Sequence, residues 1–475
     1  MHARYHRGKT ELSDGTELAI GDYSSLEPDV FLRESSALSR LATCSSDFGN
    51  EVFFHWIIPL HFFRKQLQKM AVDTVDIRSF DLQGFTVMQA VNGTLATAPR
   101  LSMAIYWLYG KLLLFAGPFI FILGYIYSCR WFFTKPDRSA ISRALDARRV
   151  FLVRSSAGAE RISRFANSSR SVVIRDPIFR NETCAPDSLD ALLFWHERPA
   201  LFLLYSRSCF AEFWRLWWAR EVIGLPFLRG SIIFYCSLRL AHKVYYEEAL
   251  RMVLSKASRV TKIYTANKED RFAVCETRVC RRIGLRLTCF PHGLEYAFPR
   301  PCGLAGDIFF CTSKNARHLL EEFGQPEIKF RYSERIVRAS FSDEGASAPD
   351  KKYVFFTESR NVHVNKEIVA ALLSLNVDFA VKLHPADSTS NYSEFVGRIN
   401  FITGAVQYKD CICLARKSTV LLESVLNQGS AVAILFDAAD RWAFYSWFPS
   451  LWREDIRRVE NLCELQKIIG ALQSR

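Results

Sequence analysis

Three short polar clusters in the C-terminal half carry residue types suited to holding a phosphate and moving a proton. The first is Lys382-Leu383-His384-Pro385. Pro385 stops an apolar run and fixes a turn, so the His384 imidazole is held where it can donate to a phosphate oxygen, with Lys382 adding positive charge. The second is Arg416-Lys417-Ser418-Thr419, with Glu423 one helical turn further on. Ser or Thr at a helix start caps it and leaves backbone amides for phosphate, and Glu423 can accept from ribose hydroxyls. The third is Pro291-His292-Gly293. Gly293 lets the backbone approach a ligand, and His292 can serve as acid, base or donor. Taken singly, a His-Pro is commonly a turn and a Ser-Thr pair commonly a cap. Their order along the chain gives them weight.

The elements that must position these clusters alternate in type. Strands are predicted at Lys262–Ala266, Leu287–Phe290 and Asp307–Cys311, with helices at about 270–283 and Asn315–Phe323. A small, polar segment at 340–352 reads as a linker. Beyond it, strands are predicted at Tyr353–Thr357, Asp378–Leu383, Cys411–Leu414 and Ala431–Phe436, with helices at Asn365–Leu375 and Thr419–Asn427. These strands are continuously apolar, as expected when helices cover both faces of a parallel sheet. Short strands at 150–153 and 172–175 begin the same pattern. The expectation is α/β, with two Rossmann-like doubly wound domains at 145–339 and 351–475. Each cluster then falls beyond the carboxyl end of a strand, where open α/β sheets bind ligands.

The chain has 475 residues, enough for two or three domains with real cores. A hydrophobic share of 49% and a charged share of 23% exclude a disordered chain. With 62 basic and 49 acidic residues, the net charge of +13 suits an anionic partner. The basic residues are dispersed without a nucleic-acid-binding motif, so nucleic acid is not expected as that partner. The 13 cysteines form no CxxC pair and read as buried, reduced thiols, not as disulfides or zinc ligands. Polar sequence follows Met1-His2-Ala3-Arg4, so no cleavable signal peptide is expected.

The N-terminal part is harder to read. Residues 1–100 have no assignable structure. Within them, 51–70 is an aromatic run, either an interfacial helix broken at Pro59 or a core element. Segment 101–135 is expected to be a membrane-embedded helical element. It contains 18 uncharged residues, Leu112 to Cys129, at the lower limit for a membrane span. Basic residues flank both sides, and Gly117-Pro118 lies mid-stretch, so a re-entrant hairpin with its tip there is favoured over a single span. A buried helix of a soluble domain is the alternative. Segment 207–221 places Phe210, Phe213, Trp214, Trp217 and Trp218 on one helical face, suited either to a membrane interface or to a core.

The order His-Gly, linker, His-Pro, Ser-Thr resembles the bacterial GT-B transferases of capsule and lipopolysaccharide synthesis. Within these it is most similar to the sialyltransferases and polysialyltransferases, over residues 260–440. That resemblance implies a nucleotide-sugar donor, with a cytidine nucleotide held by Lys382, His384, Pro385, Lys417, Ser418, Thr419 and Glu423. It also implies that Phe290–Tyr296, with Gly293 and Glu295, faces the interdomain cleft. The implied function is inverting, metal-independent transfer of a sialic-acid- or Kdo-like sugar to a saccharide or glycolipid acceptor, at the cytoplasmic face of the inner membrane. No cofactor is called for, and no Asp-x-Asp stands at a strand end to hold a metal. Transfer of an alditol phosphate from a CDP donor and a non-catalytic assembly role are the alternatives. The family's acidic pair before a glycine is not matched, since Asp343-Glu344-Gly345 falls in the linker. His292, Glu269 and Asp270 remain as candidate acid–base residues, although the last two equally suit a helix start.

Overall fold

The computed structural model describes residues 1–475 except 8, 43–45, 167–169, 180–186, 292, 299, 324–326, 345 and 474–475. His292 therefore lies outside the described residues. Two parallel sheets dominate. The first has seven strands: β5 (Arg149–Val153), β6 (Ser171–Arg175), β7 (Asp187–Ser188), β8 (Lys262–Thr265), β9 (Leu287–Cys289), β10 (Ile308–Cys311) and β11 (Lys329–Tyr332). Their order is β11-β10-β9-β8-β5-β6-β7. The second has six: β12 (Tyr353–Phe356), β13 (Phe379–Lys382), β14 (Asn400–Ile402), β15 (Ile412–Ala415), β16 (Ser430–Ile434) and β17 (Ile456–Val459). Their order is β14-β13-β12-β15-β16-β17. Both sheets follow the doubly wound pattern, in which the first strand lies beside the fourth and the order reverses between them. The expected α/β class with two Rossmann-like domains is therefore present. The strands β12 and β15 are buried at every position, as their unbroken apolar sequences require.

Residues 1–99 form a third unit. It has a four-stranded sheet of β1 (His2–His6), β2 (Lys9–Leu12), β3 (Glu17–Ala19) and β4 (Thr74–Ile77), ordered β3-β2-β1-β4. Segment 51–70 belongs to a core helix and not to an interface: Phe53, Ile58, Leu60, Phe62, Phe63 and Leu67 are buried. Pro59 does not break it. A π-helical turn, Phe53–Ile57, precedes the helix Ile58–Lys69, and Pro59 stands at the start of that helix, where proline is tolerated. This unit is wedged against both Rossmann domains. Asp47 pairs with Arg278 and Glu51 with Arg271 on one side. On the other, the Trp442 indole donates to the Leu26 carbonyl at 2.7 Å.

The hairpin expected around Gly117-Pro118 is corrected. The chain runs as one helix, Arg100–Cys129, straight through Pro118. It lies along a second long helix, Arg229–Lys256 (the central helix). Gly110, Gly117 and Gly124 face Gly230, Ile233 and the Leu238 backbone in turn. Glycine every seventh residue lets two helices approach closely, and that is the work Gly117 does here, not the making of a turn. The aromatic face expected in 207–221 divides. On the helix Arg198–Trp217, Phe213 stacks on Phe121 with centroids 4.5 Å apart, whereas Phe210 and Trp214, with Trp218 just beyond the helix end, point outward.

Candidate active site between the two sheets

In the second sheet the order reverses between β12 and β15, so ligand-facing groups come from the loops after those strands. Arg416, the first residue after β15, is wholly buried. Its guanidinium grips Asp440 at both oxygens and donates to the Arg360 carbonyl at 2.9 Å, which shapes the loop after β12. Lys417 turns its ammonium to the same Asp440, with Glu358 at 3.5 Å. Its charge is thus largely neutralised from within. Ser418 caps the helix Thr419–Leu426 by accepting from the Val420 amide at 3.4 Å. Thr419 occupies the first helical position, so both stand at the helix end that favours anions. Glu423 faces the first Rossmann domain, where Arg161 pairs with it, and the Tyr408 hydroxyl donates to its other oxygen at 2.7 Å. The structure thus sets Glu423 as a clasp between domains.

His384 stands exposed in the turn after β13. Its amide donates to the Thr357 hydroxyl at 3.0 Å, and its Nδ1 accepts from the Ala386 amide at 3.1 Å. A ring whose Nδ1 is an acceptor carries its proton on Nε2, so His384 presents an N–H donor outward. Pro385 holds the turn, and the Tyr392 hydroxyl donates to Asp387 behind it at 2.7 Å. Lys382 is not brought to this group. Its ammonium donates to the Gly404 carbonyl near the sheet edge, and burial lowers its pKa.

In the first sheet the order reverses between β5 and β8. There Arg154, Ser155, Asn267, Lys268, Glu269 and Asp270 line a cavity of about 220 Å³. Asp270 caps the helix Arg271–Arg282, accepting from the amides of Phe272 and Ala273 at 3.1 and 2.9 Å. It also pairs with Arg154 at 2.9 Å. Glu269 pairs with Arg300 at 3.0 Å. The helix-start role is thus real for Asp270, and both carboxylates also line the cavity. Behind Arg154, the Asp176 carboxylate accepts from the His242 Nε2 at 2.8 Å; burial lowers the His242 pKa despite that carboxylate. Gly293 lies near the Lys268 ammonium. Glu295 is not open to a cleft: it is buried at the domain contact, accepting from the Thr312 amide at 2.9 Å and the Ser450 hydroxyl at 3.1 Å.

Below Asn267 lies Glu276, fully buried, whose Oε1 accepts from the Tyr246 hydroxyl and the Asn267 amide at 2.7 and 2.6 Å. Burial pushes its carboxyl from 4.5 up to about 7, and the hydrogen bonds from Thr265 and Tyr246 offset only part of this. Its folded pKa is the higher one, so the unfolded chain loses this proton first and stability falls as pH rises between those two values. Glu276→Gln should remove that slope. At ~1.4 kcal/mol per pH unit, the variant should gain roughly 3 kcal/mol over the parent between about pH 4 and about pH 8, read by urea titration at each pH.

Sequence reasoning missed His55. It projects from the π-helical turn, with its ring 6.4 Å from that of Tyr235. Burial lowers its pKa, Glu51 opposes this, and the cations Arg360 and Arg300 add to the depression. Arg360 follows β12. A histidine within an aromatic run was the only local signal, and nothing in the composition marks a π turn.

No known family's sequence model matches the chain, and no curated protein matches it. Similar solved structures exist. One is a UDP-GlcNAc 2-epimerase from Methanocaldococcus jannaschii, at 10% identity and TM-score 0.39, covering 68% of this chain and 91% of that one. Another is a putative UDP-N-acetylglucosamine 2-epimerase from Listeria monocytogenes, at 10% identity and TM-score 0.41, covering 70% of this chain and 88% of that one. This likeness is one of fold. The expected transfer of a sialic-acid- or Kdo-like sugar from a cytidine nucleotide is corrected on this finding: these two structures are of sugar-nucleotide epimerases, not cytidine-sugar transferases. Of the expected likeness to sialyltransferases and capsule transferases, the structure shows the two Rossmann-like sheets alone.

Proposed function

We propose that this chain binds a nucleoside-diphosphate sugar between its two Rossmann domains and isomerises the sugar by proton transfer while the nucleotide is attached. The observation that carries this is the pair of reversal points, each at the carboxyl edge of a parallel sheet and each lined with complementary chemistry. His384 offers an N–H donor, and Ser418 and Thr419 begin a helix, so this side takes the diphosphate. The opposite side offers Glu269, Asp270, Lys268 and Arg154 around a cavity of about 220 Å³. Carboxylates beside fixed cations suit removal and return of a proton at a sugar carbon.

UDP-GlcNAc, the sugar nucleotide named for the two similar structures, is the first compound to test. Calorimetry with UDP, UDP-GlcNAc, CDP and CMP should show a diphosphate nucleotide bound, and His384→Ala should weaken it at least tenfold, worth ~1.4 kcal/mol. Incubation of UDP-sugars in D₂O should then place deuterium on a ring carbon without any acceptor, read by NMR. Tight binding of CMP with no response to diphosphates would sink the reading.

A further inference from the structure

The helix Arg100–Cys129 is one-sided. Its inner side, with Tyr106, Gly110, Gly117, Phe121 and Ser128, is buried against the protein. Its outer side displays Leu101, Leu108, Leu112, Phe115, Phe119 and Leu123, each more than half exposed. The spacing is three to seven residues, so they form a single stripe along a helix about 45 Å long. The helix Arg198–Trp217 lies beside it, with the Tyr125 and Ser206 hydroxyls 2.6 Å apart. It adds Leu203, Phe210 and Trp214 to the same exposed surface. An apolar groove of about 430 Å³ runs between the two helices. This surface far exceeds scattered apolar exposure and requires a partner.

The partner's chemistry is indicated at the rim. The Lys111 ammonium sits 5.2 Å from the Trp107 ring centroid, and the Arg130 guanidinium 3.8 Å from that of Tyr127. Indole and phenol rings beside cations are the side chains of a lipid headgroup layer, and the chain's +13 net charge favours anionic lipid. Both ends of the helix are packed into the same body, which argues against a crossing. Near its start, Tyr106 donates to the Ser79 carbonyl in the N-terminal unit at 2.8 Å. Past its end, Trp131 packs on Tyr245 with centroids 4.7 Å apart. The N-terminal unit is itself joined to that Rossmann domain through Asp47–Arg278, with Lys243 and Glu247 in the same charged group. A crossing would set these joined parts on opposite faces or draw the charges into hydrocarbon.

We propose that these two helices form a monotopic platform that seats on one leaflet of an anionic bilayer, with the helix Arg100–Cys129 lying in the membrane plane. The full-length chain should float with vesicles of phosphatidylcholine and phosphatidylglycerol, and at least tenfold less with phosphatidylcholine alone. The double variant Phe115→Glu, Phe119→Glu should lose flotation by tenfold or more at an unchanged Tm, since these side chains point outward. In a cysteine-free background, Leu95→Cys and Lys135→Cys should both react with an impermeant maleimide added outside sealed vesicles. Protection of one of the two would show a span and overturn the proposal. A stable dimer in light scattering that ignores vesicles and is dissolved by the double variant would also overturn it, by making a second copy the occupant.

Discussion

Arg416→Met should cost about 3–5 kcal/mol, a large fraction of what holds a typical domain folded. Arg416 and Asp440 are each completely buried. Removal of the guanidinium leaves Asp440 with Lys417 alone and strips a donor from the Arg360 and Asn361 carbonyls and the Asn365 amide oxygen. Burying a carboxylate that has lost its main partner costs far more than the pair contributed, because the charge stays desolvated. Arg416→Lys should recover little, since an ammonium cannot reproduce the two-pronged grip. Adding Asp440→Leu to Arg416→Met should recover a substantial part, because the orphaned charge is gone. Urea denaturation of the three variants checks this, and a loss below about 1 kcal/mol in Arg416→Met would refute it. Because Arg416 shapes the loop after β12, at the reversal point of the second sheet, nucleotide binding should fall with stability.

Gly230→Val should be similarly severe through packing. A Cβ at Gly230 would lie 1.9 Å from the Gly110 carbonyl oxygen and 2.8 Å from its carbon. Both are backbone atoms inside a helix, so relief requires the two long helices to separate. The expected cost is on the order of 3 kcal/mol, at the upper end for overpacking, because neither neighbour can change rotamer. Gly124→Ala is the control. Its Cβ would meet the Leu238 carbonyl oxygen at 3.6 Å, an ordinary contact, so the gain in helix propensity should leave the protein unchanged or more stable by up to about 1 kcal/mol. Thermal denaturation should show a large loss in Gly230→Val and no loss in Gly124→Ala. Equal melting temperatures would mean that the glycine seam does not hold the apolar helix. Flotation with anionic vesicles should weaken in Gly230→Val and persist in Gly124→Ala.

The alternation of apolar strands and amphipathic helices from Lys262 onward was legible because it is local. A strand covered on both faces must be continuously apolar, and a capped helix announces itself within four residues, as Asp270 and Ser418 do. The placement of His384 beyond a strand followed from the same local logic, since a proline ends a ladder. The hairpin expected at Gly117-Pro118 failed for a related reason: glycine beside proline signals a turn only when no other helix is near, and the central helix lies more than a hundred residues further along. Charge pairing was equally invisible. Asp440 and Glu358 pair with Lys417, and Arg161 reaches Glu423 from the other domain, and no local spacing signals either pairing. Sequence by itself determined the two doubly wound sheets and the clusters at their carboxyl edges, because hydrophobic period and caps act over a few residues. Only the tertiary structure decided which charges are spent internally and which face of the apolar helix remains open, because those depend on the docking of segments remote in the chain.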